Sequence, residues 1–450
     1  MADNYGTYQI KTRSRKSMGE KQGSQNDDQS EVKTDPTVMN ALQDIKCGET
    51  QVHDYKHNIR VFKWSLHKVI IITHFNIFLY STCFWIQIGT LPYLSKKLGV
   101  NAVWYGYLQT TFAVVQLAGG PLFGRFGDIF GSRAAMTLAF VSAALSYLLL
   151  SMSSSVSLLF LSRLPSVFMH AMQGGQMIVT DICDSGKRAD ALGKLGISYG
   201  VGMIIGPAIG GIITTNFGEA TAAFVAFLGS VLSILLVLMF VPHQTKKTQV
   251  HEKSSSALLD LKKWRELIMA PGALFLLLLK MATGTPIGIF QSMFQVIALE
   301  IFSLPADQNG YLMSYIGVLT MVVQGLGVGI LLKQMSENSI MKWSSFVLVW
   351  AYLALAGVGT IPQLCIVLAP LTVGLASTNI VVSSALTRTV DDKDTGSMLG
   401  LNMASNSLIR TVSPTVGGIM LQSLGFSSFG FLGFISSGIV TVLLFMKFRG

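Results

Sequence analysis

Charge is what this chain has least of. Of its 450 residues only 12% are Asp, Glu, Lys or Arg, against roughly 25% in soluble domains, which excludes an ordinary soluble enzyme. Cysteine is nearly as scarce. Cys47, Cys83, Cys183 and Cys365 share no short spacing, so neither a disulfide framework nor a metal cluster is expected, and the thiols read as buried or cytosolic. No metal or other cofactor is expected. Asn-x-Ser/Thr acceptor sites are absent. There is no solvent-facing basic domain of the kind that binds nucleic acid. No cleavable signal peptide is expected, because the polar stretch ahead of the first apolar run is too long. Carboxylates are missing from the apolar runs as well: Asp128, Asp181 and Glu300 all stand at run ends.

What the chain does have is apolar runs of about twenty residues, the length of a membrane-crossing helix. They recur at 69–91, 104–126, 134–153, 156–180, 191–213 and 220–241, then at 272–300, 310–332, 342–360, 363–386, 396–420 and 426–447. Strands of an outer-membrane barrel would instead alternate over about ten residues. The expected fold is therefore an all-α membrane protein with twelve transmembrane helices in two six-helix halves. Residues 1–64 read as a disordered tail with a short helix near 36–46, 65–241 as the first half and 271–450 as the second. Between them, 242–270 reads as a linker in which Leu258 to Met269 forms an amphipathic surface helix. Lys and Arg fix the orientation. With the tail taken as cytoplasmic, tail, linker, same-side loops and C-terminal end carry 27, whereas the opposite side carries only Lys96 and Lys97. Both termini are thus expected in the cytoplasm, with the basic side facing anionic lipid. A plasma-membrane location is favoured over an intracellular one.

The halves repeat. Gly206-Pro207-Ala-Ile-Gly210-Gly211 is matched by Ser413-Pro414-Thr-Val-Gly417-Gly418, while Gly193 pairs with Gly400 and Gly218 with Gly425, all at an offset of 207. The second span of each half opens on Gly-Tyr-Leu, at Gly106 and Gly310, and continues into Gly-x-x-x-Gly at Gly120/Gly124 and Gly325/Gly329, a spacing that permits close helix approach. Paired helix-breaking motifs in corresponding positions of two halves are the mark of a secondary transporter. A further break is expected at Gly284-Thr285-Pro286.

Polar residues inside the spans are the candidate solute and proton sites, because burying them in lipid is costly. The first span offers His74, Asn76 and Gln87. The fourth offers Arg163, Ser166, His170 and Gln173 at helical spacing, hence on one face. The eleventh offers Asn402, Asn406 and Arg410 at successive i+4 steps. His170 titrates near neutrality when unperturbed. Lys280 reads as a snorkelling residue that reaches inner-leaflet phosphate. Phe75, Tyr80, Phe84 and Trp85 can hold a cation on their ring faces, whereas Arg163 and Arg410 leave an anionic solute open.

Two motifs bring out a family resemblance. The loop after the second span keeps Gly124, Asp128, Gly131 and Arg133, and resembles the loop signature of the major facilitator superfamily, with Ile129 and Ser132 where basic residues are usual. Asp128 there would face a helix N-terminus of the other half and latch the inner gate. Gly193, Gly202, Gly206-Pro207 and Gly210-Gly211 resemble the superfamily's antiporter signature at every position. The signature implies exchange rather than uniport. Gly124, Asp128, Gly131, Arg133, Gly202, Gly206, Pro207, Gly210, Gly211, Pro286 and Pro414 are thus the gating and packing candidates. Drug/proton antiporters of the superfamily carry an Arg in the fourth span near the proton path, in the manner of Arg163. Closer resemblance, over 65–450, is to the organic-cation-transporter-like branch of solute carrier family 22, through Leu91–Gly99, Gly106–Phe112, Asp394–Leu401 and Arg410–Gly418. The loop 92–103 is shorter than the large glycosylated one of true organic cation transporters. The resemblance implies proton-coupled antiport of an organic solute, with a cation or amphipathic drug favoured. An organic anion or lipid-like solute, or a transport-dead scaffold acting through its tail, remain alternatives.

Overall fold

A computed structural model describes residues 58–61, 64–183, 188–243, 261–391 and 394–447, and residues 58–450 form one compact unit. The expected tail helix at 36–46, Cys47 and linker residues 244–260 lie outside the described residues. A short antiparallel hairpin comes first: β1 (Asn58–Val61) pairs with β2 (Trp64–His67), Val61 opposite Trp64. Its first strand falls within the stretch read as disordered tail. Polar and apolar residues alternate there, Asn58, Ile59, Arg60, Val61, then Trp64, Ser65, Leu66, His67, a strand period that bulk composition hides.

All other regular structure among the described residues is helical. The first half runs α1 (Lys68–Lys97), α2 (Ala102–Phe130), α3 (Ser132–Ser151), α4 (Val156–Leu161), a 3₁₀ turn at Leu164–Phe168, α5 (Ala171–Ile182), α6 (Arg188–Phe217) and α7 (Glu219–Phe240). After α8 (Leu261–Met269) the second half runs α9 (Ala273–Glu300), α10 (Ala306–Val322), a π turn at Val323–Gly327, α11 (Val328–Gln334), α12 (Glu337–Ala356), α13 (Ile361–Thr387), α14 (Thr395–Leu424) and α15 (Ser427–Lys447). Nine helices among the described residues are long and apolar enough to cross a membrane. The other three expected spans coincide with α2, α14 and the interrupted α4–α5 segment. These three carry much of the polar equipment and are less apolar for that reason.

Local chemistry sets the ends. Asn101 Oδ1 accepts from the Trp104 amide at 3.0 Å and Ser155 Oγ from the Leu158 amide at 3.3 Å, and Thr360 with Gln363 forms a capping box that satisfies first-turn donors. Gly218 and Gly425, the matched pair of the repeat, end α6 and α14 with φ of 87° and 75°, a region that side chains avoid. Gly131 does the same between α2 and α3, at φ 88°. In α8, Leu267 is buried, while Trp264 and Ile268 pack on a core of the second half.

The expected breaks at the proline motifs do not occur. α6 runs unbroken through Pro207, α14 through Pro414 and α9 through Pro286. In the first two, the turn that proline loosens is restored from the opposite half. Ser314 Oγ donates to the Ile204 carbonyl at 2.5 Å, and Thr110 Oγ1 to the Thr411 carbonyl at 3.2 Å. Both acceptors lie three residues before the proline. Side-chain donors of this kind let a membrane helix tolerate proline.

The same residues form the seam between the halves. A Cβ on Gly106 of α2 would strike the Pro414 carbonyl of α14, and one on Gly310 of α10 the Pro207 carbonyl of α6. Gly418 is packed likewise on Ala102, and Gly211 on Ala306. Each Gly-Tyr-Leu opening thus rests on the proline turn of the other half, Gly106 on Pro414 and Gly310 on Pro207, about a pseudo-twofold axis. Tyr93 Oη to the Leu304 carbonyl at 2.9 Å and the Asp307 amide to Thr215 Oγ1 at 3.1 Å close the same end. That end carries the short loops. At the end bearing α8, Gly124, Gly193, Gly196, Gly325, Gly329, Gly396 and Gly400 meet nothing within 4 Å. Among the described residues, the glycine-to-backbone contacts between the halves gather at the short-loop face.

Alanine substitution separates the two ends. Gly106→Ala and Gly310→Ala should each destabilise by about 1–3 kcal/mol through overpacking. Gly124→Ala and Gly400→Ala, with room for the methyl, should be neutral or gain up to about 1 kcal/mol. Thermal unfolding of the detergent-solubilised protein checks this, and equal losses at all four positions would contradict the one-sided seam.

Candidate functional site

The fourth span is where the helix does break. Pro165 lacks the amide that would continue α4, and the chain passes through a 3₁₀ turn before α5 begins at Ala171. Arg163, Ser166, His170 and Gln173 therefore do not share one helical face, as their spacing had suggested. The break frees backbone groups that lipid cannot satisfy. Side chains do so instead: the Met169 carbonyl accepts from Tyr80 Oη at 3.0 Å and from Gln116 Nε2 at 3.3 Å, and the Ser162 carbonyl accepts from Ser146 Oγ at 2.6 Å. Three helices are thereby tied to one irregular turn.

The residues around this turn separate. Arg163 is 1% exposed, donates from Nε to Ser162 Oγ at 3.2 Å, and leaves Nη2 buried without a partner. Tyr105 and Tyr147, not carboxylates, are its electrostatic neighbours. The His170 ring lies 5.4 Å from Phe123, and its Nε2 is likewise buried and unpaired. His74 Nδ1 pairs with Ser198 Oγ of α6 at 2.8 Å. Asn76 bonds back to the Ile72 carbonyl, and Gln87 is buried with Nε2 unsatisfied.

Gln173 joins a different group. With Gly124, Asp128, Ser132, Gln176, Thr180 and Asp181 it lines a cavity of about 380 Å³ at the linker face. Every member belongs to the first half. Arg133 staples α3 to α7, Nη2 donating to the Leu238 carbonyl at 2.5 Å. The antiporter-like glycines of α6 divide. Gly202, Gly206 and Gly210 lie against Ser81, Thr82 and Ile86 of α1, whereas Gly211 faces the other half.

In the second half the structure corrects the reading of Lys280. It is not a snorkelling residue: it is 4% exposed, and its Nζ donates to Asn402 Oδ1 of α14 at 2.5 Å and to Asn379 Oδ1 of α13 at 3.2 Å. Asn402 Nδ2 in turn donates to Ser383 Oγ at 3.2 Å. Asn379 is exposed, so one side of this cluster reaches open space. One and two turns further along α14, Asn406 and Arg410 are exposed. Arg410 acts electrostatically on Tyr80 and Tyr199 across the divide between the halves. No spacing pattern links residues 280, 379 and 402, and only the crossing of α9, α13 and α14 brings them together.

Carboxylates stay at the ends. Asp128, Asp181, Asp190, Glu219, Glu300, Asp307 and Glu337 each fall within the first or last three residues of a helix. Among the described residues no cluster of His, Cys, Asp and Glu could hold a metal ion. Aromatic rings do line the first half. Tyr80 and Phe84 stack at 6.3 Å between centroids, with Phe112 at 6.1 Å from Phe84, and Trp85 meets Phe84 edge-on at 5.9 Å.

Residues 73–378 match the family model of the Major Facilitator Superfamily. Over 386 residues the chain is 40% identical to solute carrier family 22 member 18 of Rattus norvegicus, covering 84% of this chain and 94% of that relative. The class D tetracycline resistance protein of Salmonella ordonez is 29% identical over 239 residues, 52% of this chain and 59% of that protein. Among solved structures, the nucleoside transporter NupG superposes with a TM-score of 0.67 at 16% identity, covering 85% of this chain and 98% of NupG. At that identity the likeness concerns the fold alone.

Removing the Tyr80 hydroxyl tests the break at span four. Tyr80→Phe should cost about 1 kcal/mol, the net worth of a hydrogen bond to a buried carbonyl. Tyr315→Phe, whose exposed hydroxyl bonds the Cys365 carbonyl, should cost less. Thermal unfolding of both variants gives the comparison.

Proposed function

The chain belongs to the major facilitator superfamily, and on that premise we propose that it exchanges organic cations or amphipathic drugs for protons by alternating access. The observation that carries this reading is the one-sided seam. A carrier must be able to seal either face in turn, and a fold whose glycine-to-backbone contacts between the halves gather at the short-loop face suits one end state of that cycle. The seam combines backbone contacts at small residues, a few hydroxyl bonds and a buried apolar cluster drawn from both halves, with Leu91, Tyr105 and Leu108 against Phe290, Met293 and Leu312. Rocking one half against the other would have to part that cluster while leaving the cores within each half packed. Three of the antiporter-like glycines pack α6 tightly on α1 within the first half, which supports that half moving as a unit.

Aromatic faces support a cation as solute. The half-buried rings of Phe84 and Trp85, backed by the buried Tyr80 and Phe112, offer π surfaces that attract an organic cation without a carboxylate. Kinship with solute carrier and drug-resistance proteins supports the same class. The Lys and Arg excess at the tail and linker side supports cytoplasmic termini, so the linker face would meet the cytoplasm. A plasma-membrane address suits a carrier that expels amphipathic compounds. Sodium or another metal as coupling ion finds little support where no carboxylate lies inside the spans. Protons can be carried by His74, His170 or an amine.

A second reading, transport of organic anions, rests on one observation: Arg410 stands exposed between the halves, and Arg163 and Lys280 lie within the spans with no carboxylate partner shown. Reconstituted vesicles separate the two. With a one-unit inward-acid gradient, uptake of a fluorescent amphipathic cation such as ethidium should rise, to at most about tenfold accumulation for one-for-one exchange. A fluorescent carboxylate should show no such rise. Accumulation of the carboxylate instead would establish the anion reading. Gradient-independent behaviour of both probes would overturn proton coupling.

A further inference from the structure

Lys280 is the most buried primary amine described in the spans, and its surroundings have a particular chemistry. Its ammonium has three donors. Two meet side-chain carbonyls, Asn402 Oδ1 at 2.5 Å and Asn379 Oδ1 at 3.2 Å. Asn402 is itself oriented by Ser383, so its carbonyl end is aimed at the amine. Nothing in this set is a permanent counter-charge. The charged groups on the elements packed around α9 lie elsewhere. Arg265 and Glu266 are exposed on α8, and Arg388 at the end of α13 is paired with Glu337 at 2.8 Å. Lys447 at the end of α15 sits over the Phe275 ring, 3.6 Å from its centre. Arg410 is eight residues along α14 from Asn402, about 12 Å at helical rise. The titratable groups that α1, α2 and α10 bring are Lys68, Lys96, Lys97, Arg125, Asp128 and Asp307 toward helix ends, His74 bonded to Ser198, Cys83 and the tyrosines. None forms a hydrogen bond or ion pair shown with Lys280.

Two side-chain carbonyls accept from the amine, and no carboxylate is shown doing so. The position suits exchange with water. Lys280, Asn402 and Asn379 lie seven or eight residues from the linker-face ends of their helices, about 11 Å deep. Asn379 is exposed, and Gly396 and Gly400 of α14 meet nothing within 4 Å. Asn402 also heads the polar stripe whose next members, Asn406 and Arg410, are exposed between the halves.

We propose that Lys280, held by Asn379 and Asn402, is the group that carries the exchanged proton, its charge alternating with that of the bound cation. The assignment rests on the proton-exchange reading above and fills the place a carboxylate would otherwise take. With the linker face open, an incoming organic cation disfavours the nearby ammonium. An N–H bond of Lys280 breaks, its electron pair stays on Nζ, and the proton leaves to water on that face. After the halves rock and the solute departs at the short-loop face, the neutral amine takes up a proton there. One proton moves against one positive charge, and the protein never holds both. His74 and His170 lie in the first half, bonded to Ser198 and facing Phe123, away from this stripe.

The full-length protein in vesicles, with ethidium as solute and an entrapped pH dye, tests this. Wild-type protein should accumulate ethidium severalfold under the one-unit gradient and move protons the other way. Lys280→Gln should lose gradient-driven accumulation, with a markedly smaller loss in ethidium–ethidium counterflow. Lys280→Arg, charged at every pH, should depress counterflow more than Lys280→Gln does. Should Lys280→Gln fail to fold, Asn379→Leu and Asn402→Leu should each move the pH midpoint of exchange by about one unit. Retained accumulation in Lys280→Gln, an unmoved midpoint in both asparagine variants, or loss of coupling in His170→Ala alone would overturn the assignment. Wild-type counterflow without any proton movement would instead overturn the exchange reading beneath it.

Discussion

Everything in this molecule turns on how closely two helix backbones can approach where there is no Cβ. Gly106 against the Pro414 carbonyl and Gly310 against the Pro207 carbonyl bring α2 onto α14 and α10 onto α6 at van der Waals limits. In lipid, where tails are as apolar as leucine, such contacts and a few interhelical hydrogen bonds are what hold helices together. The hydroxyls of Thr110 and Ser314 add direction by repairing the turn that each proline loosens. Around these contacts a buried apolar cluster draws on both halves, Leu91, Tyr105 and Leu108 with Phe290, Met293 and Leu312, so the seam is packed side chain as well as backbone. Two further cores, one around Phe123, Phe140 and Tyr147 and the other around Leu277, Met341 and Met398, each lie within one half.

A second constraint follows from the medium. A polar group inside a span must find a partner within the protein, and the first half concentrates its irregular backbone in a single turn. The Met169 carbonyl is shared by α1 and α2 through Tyr80 and Gln116, which fixes the break rather than leaving it loose. Arg163 is sealed behind it, among tyrosines. The second half is interrupted elsewhere, by the π turn at Val323–Gly327. α13 is continuous from Ile361 to Thr387, and its polar residues cluster with Lys280 instead. Duplication produced one fold, and divergence gave each half its own polar centre.

Much of this was legible from residue types alone. The offset of 207 announced the duplication, and the matched Gly218 and Gly425 adopt the same left-handed turn. Gly131 sits where the loop motif needs it. Helix continuity was misjudged at Pro207, Pro286 and Pro414 because a proline in sequence shows only what it removes. Whether a hydroxyl from another helix compensates is a tertiary matter. Conversely Pro165 drew no notice, though it makes the real break. Lys280 was misassigned for a related reason: a lysine seven residues inside a span can reach lipid phosphate or turn inward, and both choices have the same sequence. The polar residues of the fourth span were grouped by an assumed helical period, which the 3₁₀ turn abolishes.

The sequence by itself determined the membrane class, the two-half architecture and the sidedness of charge, since these depend on run length, repetition and composition. Only the tertiary structure decided which copy of a motif meets which. The Gly-Tyr-Leu and proline segments looked like separate repeats within each half. They are one contact made twice between halves, because backbone proximity depends on where helices cross and not on where residues stand along the chain. The same holds for Lys280, Asn379 and Asn402, up to 122 residues apart in sequence and joined at a helix crossing, where a buried ammonium takes whatever carbonyls the packing brings to it.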